Sequence, residues 1–142
     1  MTKLFRHFGA AAALAFLAIP AAAQDEPEEA RTSYQITYVK FAPGADERWL
    51  EIMTEHTAPA RAAAQLPPTQ IHWLANGPWD VILVTEMPDG MAALDTHNPR
   101  AGAAYAAALL RREGSEAAVA ALNAEMDALV ADSDRVFTHT HP

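Results

Sequence analysis

The sequence predicts one α+β domain with the element order β-α-β-β-α-β and a four-stranded antiparallel sheet. Three observations predict it. Short alternating runs occur at Tyr34–Phe41, Thr69–Ala75 and Arg135–Thr140, and a period of two marks a strand. A further run, Asp80–Met87, is apolar on both faces, as a strand covered on both sides should be. Apolar residues at helical spacing fill the two long gaps between the strands.

The first element is set aside from the fold. Lys3 and Arg6 precede an apolar, Ala-rich run from Phe8 to Ile19, which is short for a bilayer span. Pro20 and Ala21-Ala22-Ala23 then give an A-x-A cleavage pattern before Gln24. Residues 1–23 therefore read as a secretory signal peptide. No cysteine stands at the cleavage point, which excludes a lipoprotein. The expected location is the periplasm or the exterior, with no membrane attachment after cleavage. Residues 24–33 are polar and acidic and read as a flexible leader. Residues 34–142 read as the domain.

In the first strand Tyr34, Ile36 and Tyr38 share one face, and Gln35, Thr37, Val39 and Phe41 the other. Pro43-Gly44 ends it. Asp46 and Glu47 suit a helix N-terminus. Trp49, Leu50, Ile52, Met53 and His56 follow at helical spacing. Pro59 should kink or end that helix, since it lacks an N–H and crowds the preceding turn. Ala60–Gln65 resumes it, and Leu66-Pro67-Pro68 breaks it. The second and third strands are joined through Asn76-Gly77, a hairpin signal.

Pro88-Asp89-Gly90 stops the third strand, and the helix-like Met91-Ala92-Ala93-Leu94 follows. Asn98 reads as an N-cap with Pro99 at the first helical position. That helix runs to Arg112, and Gly114 ends it. Ser115 caps a further helix, Glu116–Val130, with Val119, Leu122, Met126, Leu129 and Val130 as its apolar stripe. Asp132–Asp134 reads as a turn into the last strand. Right-handed crossovers then give a ferredoxin-like topology with helices on one sheet face. The other face also needs cover.

Trp79–Pro99, WDVILVTEMPDGMAALDTHNP, is the most characteristic stretch. Its strand, acidic end, helix and His-x-Pro resemble the third strand and following helix of the dimeric α/β-barrel superfamily. The stress-responsive A/B-barrel branch is the nearest match, and the NIPSNAP-like and antibiotic-monooxygenase-like branches are similar. The resemblance implies a homodimer, with two open sheet faces closing into a two-chain barrel. It also brings in His97. The A/B-barrel branch carries His-Pro-x-His after this helix, and its cyclase-type members use the second histidine as an acid/base. Here Asn98 separates His97 from Pro99, and Arg100 and Ala101 stand where that second histidine would fall.

Composition narrows the partners. Residues 1–23 hold two of the 10 Lys+Arg and none of the 18 Asp+Glu, so the remainder has 8 − 18 = −10 formal charges. Such a chain repels phosphate backbones, and nucleic acid is not an expected partner. The same charge disfavours an anionic substrate at long range. With no cysteine, disulfides contribute nothing.

The candidate site residues are histidines and aromatics. His72, His97 and His56 are the expected acid/base groups, with His97 and His72 the catalytic candidates, since imidazole titrates near neutrality. Tyr38, Trp49, His56, Trp73, Glu86, Tyr105, Phe137 and His139 are the expected pocket lining between sheet and helices. The alternative is that His97 bonds to backbone at a helix turn and that the aromatics are ordinary core. Trp79, beside the hairpin turn, reads as a lid or dimer contact. No metal motif is present, although His139 and His72 form a metal- or haem-binding alternative. No Gly-rich phosphate loop, G-x-S-x-G or cysteine nucleophile appears, and no cofactor is expected. The function expected is binding, or cofactor-free transformation, of a small apolar or aromatic molecule. The competing expectation is a non-catalytic, stress-related dimeric module.

Overall fold

The computed structural model describes residues 31–141. The expected signal peptide, 1–23, and positions 24–30 of the expected leader lie outside the described residues. The strands are β1 (Ser33–Phe41), β2 (Gln70–Trp73), β3 (Val81–Glu86) and β4 (Val130–His139). They form one sheet in the order β2-β3-β1-β4, with every neighbouring pair antiparallel. Thus β1 and β2 run parallel with β3 between them. This is the split βαβ arrangement of the ferredoxin-like fold. The sheet is open and is not closed into a barrel within the chain.

Strand parity decides what each side chain meets. Val39 pairs with Val81, and Thr37 with Leu83, on the helix-covered face. Phe41, Ile71 and Trp73 belong to that face as well. On the other face, one row across the sheet is Gln70, Val84, Ile36 and Val136. The next row is His72, Ile82, Tyr38 and Asp134. Trp79 packs on Tyr38 with ring centroids 6.0 Å apart. This open face is mainly apolar at its centre and polar at its edges.

The first helical segment is α1 (Asp46–Ile52), a π turn (Met53–Thr57) and α2 (Ala58–Ala63). Pro59 stands in the first turn of α2. A proline there cannot donate to residue 55 and would press its ring on that carbonyl. Slipping to wider i→i−5 bonding, with Ala58 N donating to Met53 O, removes the conflict without ending the helix. α1 buries Trp49 and Ile52, at 2% and 1% exposure. Trp49 meets Phe41 at 5.0 Å between rings. Val39, Val81, Ala45 and Met53 complete this core.

A 3-10 helix (Gly90–Asp95) follows β3, then α3 (Arg100–Glu113) and α4 (Glu116–Ala128). Gly90 takes φ +59, which lets the chain reverse out of β3. Pro99 sits at the N-cap position, with extended ψ of 141, so α3 starts one residue later than expected. Asn98 provides no cap. Gly114 ends α3 with φ +83 and bonds to Leu110 O. Ser115 caps α4 by accepting from Ala118 N at 3.1 Å. Ala60, Ala108 and Leu109 form a second cluster, small enough for α2 and α3 to approach closely.

Two strand boundaries are corrected. β1 begins at Ser33, one residue before Tyr34. β4 begins at Val130, so Asp132–Asp134 is strand and not turn, and Val130 leaves the helix. The polar stretch is strand because β4 is an edge strand, paired to β1 on one side and solvated on the other. Asp132 and Asp134 turn their carboxylates onto the N–H groups of Ser133 and Arg135, at 2.8 and 2.7 Å. Occupying edge donors this way discourages unwanted strand pairing.

Candidate ligand cleft

A cleft of about 220 Å³ opens on the helix-covered side, at the end of the sheet where β3 leaves. Its floor is one row across the strands, Phe137, Gln35 and Thr85, whose register places them side by side. The chain leaving β3, Met87 to Asp89, forms one wall. Ala93 and Leu94 of the 3-10 helix form the next, and Pro99, Ala101 and Gly102 at the start of α3 close it. Gly102 leaves space there, since a Cβ would meet only Pro99 Cγ, at 3.5 Å. Arg61 and Leu66 stand at the far side.

The lining is mainly apolar, with a few polar groups. Thr85 and Thr69 share a hydroxyl contact of 3.1 Å, and Gln35 Nε2 donates to Thr37 Oγ1 at 3.3 Å. Asp89 Oδ1 accepts from Arg100 Nη2 at 2.7 Å. This bond holds the Arg100 guanidinium above its ordinary pKa. Asp89 Oδ2 is buried and has no hydrogen-bond partner among the described residues. Arg61 donates from Nε and Nη2 to Pro67 O at 3.0 and 2.6 Å. Burial pushes its guanidinium below its ordinary value.

Arg61 and Leu66 also border a second chamber of about 290 Å³. Its wall is the π turn and α2, through Met53, Thr57, Ala58 and Ala62, facing Pro68 and Ile71. The turn that accommodates Pro59 therefore also shapes this space.

Of the residues expected to line the site, Phe137 and Glu86 border the cleft. The others are placed elsewhere. Trp49 is in the core, 2% exposed. Tyr105 packs on the Ala60–Ala108–Leu109 cluster. His56 Nδ1 is 2.8 Å from Glu113 Oε1 and borders neither space. Trp73 is 52% exposed on an edge strand, against Phe41. Tyr38 and His72 take the open sheet face because their parity is even there.

His97 is exposed between the 3-10 helix and α3. It and His72 are not brought together in either space, so the expected acid/base pair does not form at the cleft. His139 Nε2 lies 3.3 Å from Arg31 and 3.2 Å from His141 Nε2. It ends β4 while His72 is on β2, the opposite edge of the sheet, so the two cannot share a metal or haem within one chain. Among the described residues, no group of three His, Cys, Asp or Glu is placed to hold a metal ion. Also among them, no helix is long and apolar enough to cross a membrane.

Arg61, Leu66, Asp89 and Gly102 were not anticipated. Two sequence signals mark Arg61 and Asp89, and none marks Leu66 or Gly102. One is an arginine inside an Ala-rich run just before a Pro-Pro break, and the other an acid held between Pro88 and Gly90.

The backbone is similar to that of a NIPSNAP family protein of unknown function from Agrobacterium tumefaciens. Identity is 12% and the TM-score 0.52, with 78% of this chain and 88% of that chain covered. A second NIPSNAP family protein from the same organism gives 14% identity and a TM-score of 0.51, covering 77% of this chain and 91% of that one. At such identities the likeness is one of fold, and it bears out the ferredoxin-like α+β expectation. Of the branches named from sequence, the NIPSNAP-like one is represented in these neighbours. No protein-family model matches the chain, and no curated protein matches it in sequence.

Proposed function

We propose that this protein binds a small apolar or aromatic molecule in the cleft between Phe137, Gln35 and Thr85 of the sheet and the start of α3. The observation that carries this reading is the cleft's chemistry. Its walls are mostly apolar, through Leu66, Met87, Pro88, Leu94, Pro99 and Phe137, with Gln35, Thr85 and Arg61 among the few polar groups. A concave, mostly apolar site with few polar groups is the usual form of a small-molecule pocket.

Binding is favoured over catalysis. None of the described histidines borders the cleft or the neighbouring chamber. The reading includes a second copy covering the open sheet face, where Ile36, Val84 and Val136 form an apolar row. It also includes export, which rests on the character of residues 1–23.

The test is a fluorescence titration with N-phenyl-1-naphthylamine, a neutral aromatic probe that brightens in apolar surroundings. Saturable brightening is expected with the wild type. Ala101→Leu and Gly102→Leu, which add side chain at the cleft wall, should weaken it by about tenfold or more, as expected for filling space the probe occupies. No brightening, or brightening equal in both variants, would overturn the reading.

A further inference from the structure

We propose that Arg61 is the head-group anchor of this site and that its ligand is an apolar monocarboxylate, whose carboxylate meets the guanidinium at the junction of the cleft and the π-turn chamber. This rests on the cleft reading for the ligand's apolar body and adds its charged end.

The first argument is position. Arg61 and Leu66 are the residues common to both spaces. A ligand head held at Arg61 can therefore place its tail in either apolar space. The second argument is preorganisation. Pro67 O takes Nε and Nη2, which fixes the plane of the guanidinium. Nη1 makes no hydrogen bond to the described residues, so part of the fork stays available. A planar fork with a fixed orientation suits a carboxylate.

The third argument is the missing counter-charge. Acidic residues outnumber basic ones, 18 to 10, yet no described carboxylate pairs with Arg61. Arg48, more exposed than Arg61, is held by Glu51 and Glu125 at 2.7 Å each. Arg100, largely exposed, is still paired with Asp89. Arg61 is thus partly buried, bonded only to a neutral carbonyl, and pushed down by that burial. A cation in this position is stabilised by an incoming anion more than a solvated one is. The chain's acidic excess opposes an anion at long range, but that field is screened within about 10 Å at ordinary salt. Contact at Arg61 is governed by the local, desolvated charge.

The experiment is competition against bound N-phenyl-1-naphthylamine on the purified protein. Decanoate is compared with 1-decanol, and 4-phenylbutyrate with 4-phenylbutanol, so that head group and tail are varied separately. Each acid is expected to displace the probe at about tenfold or more lower concentration than its alcohol, the usual scale for a hydrogen bond to a charged group. Whichever acid displaces the probe at the lower concentration identifies an alkyl or an aryl tail. Arg61→Gln should bring the acid-to-alcohol ratio close to one, and Arg61→Lys should keep part of it. If Arg61→Gln does not fold, as judged by circular dichroism, Arg61→Lys serves instead, and an acid-to-alcohol ratio in it equal to wild type overturns the proposal. Equal displacement by acid and alcohol in the wild type, with the probe binding normally, overturns the proposal and leaves the cleft reading intact. An unchanged ratio in Arg61→Gln also overturns it. Failure of the probe to bind at all removes both readings.

Discussion

His56 on the π turn and Glu113 at the end of α3 are joined at 2.8 Å between Nδ1 and Oε1. Both side chains are largely covered, 26% and 14% exposed. A histidine that resembles an acid/base group in the sequence is here a strut between two helices. His56→Ala should lower stability by about 1 kcal/mol, the usual net value of such a bond. Glu113→Gln, which keeps an acceptor oxygen, should cost less. Thermal melting of the two variants checks this, and an unchanged melting temperature for His56→Ala would show that the contact contributes nothing.

A second strut is pH-sensitive. Arg48 donates to Glu125 at 2.7 Å and ties α1 to α4. That hydrogen bond holds the Glu125 carboxyl below its usual range. A lowered folded pKa stabilises the fold above the unfolded value, and the benefit is lost as pH falls through the folded one. Glu125→Gln should therefore be less stable than wild type at neutral pH and converge with it in acid. Urea unfolding at the two pH values gives the comparison. Because the pair is exposed, high salt should also shrink the difference.

Trp49 is the largest fully packed side chain, between Phe41 and the sheet. Trp49→Ala should cost roughly 3–5 kcal/mol, much of the stability of a domain this size. Denaturant unfolding should show an early midpoint or no cooperative transition. A shift below about 1 kcal/mol would contradict its place in the core.

Two glycines should respond with opposite sign. Gly114 has φ +83, so Gly114→Ala should destabilise by about 1 kcal/mol. Gly102 lies within α3 with room for a Cβ, so Gly102→Ala should stabilise by up to about 1 kcal/mol. Paired melting curves decide both.

The fold was legible because side-chain period reports strand faces directly. Tyr34, Ile36 and Tyr38 were grouped by alternation alone, and the register puts them on the open face with Glu86, Val84 and Ile82. Gly114 and Ser115 carried their helix-end chemistry in their own residue types. The start of β4 was not legible. Ala131–Arg135 looks like a turn because an edge strand exposes its side chains, and the ladder to β1 overrides local preference.

The site was less legible, for a different reason. The titratable and aromatic residues His72, His97 and Trp73 lie at the periphery. The cleft is shaped by where α3 and the 3-10 helix settle over one row of the sheet. Its small residues, Ala93, Ala101 and Gly102, matter by leaving space. Absence of bulk has no signature in a sequence rich in alanine.

The most direct test of the account is an amide chemical-shift titration of isotope-labelled protein with N-phenyl-1-naphthylamine. Saturable shifts are expected, concentrated at Gln35, Thr85, Ala101, Gly102 and Phe137. Shifts centred instead on Ile36, Tyr38 and Ile82 of the open face, or no shifts at all, would contradict it.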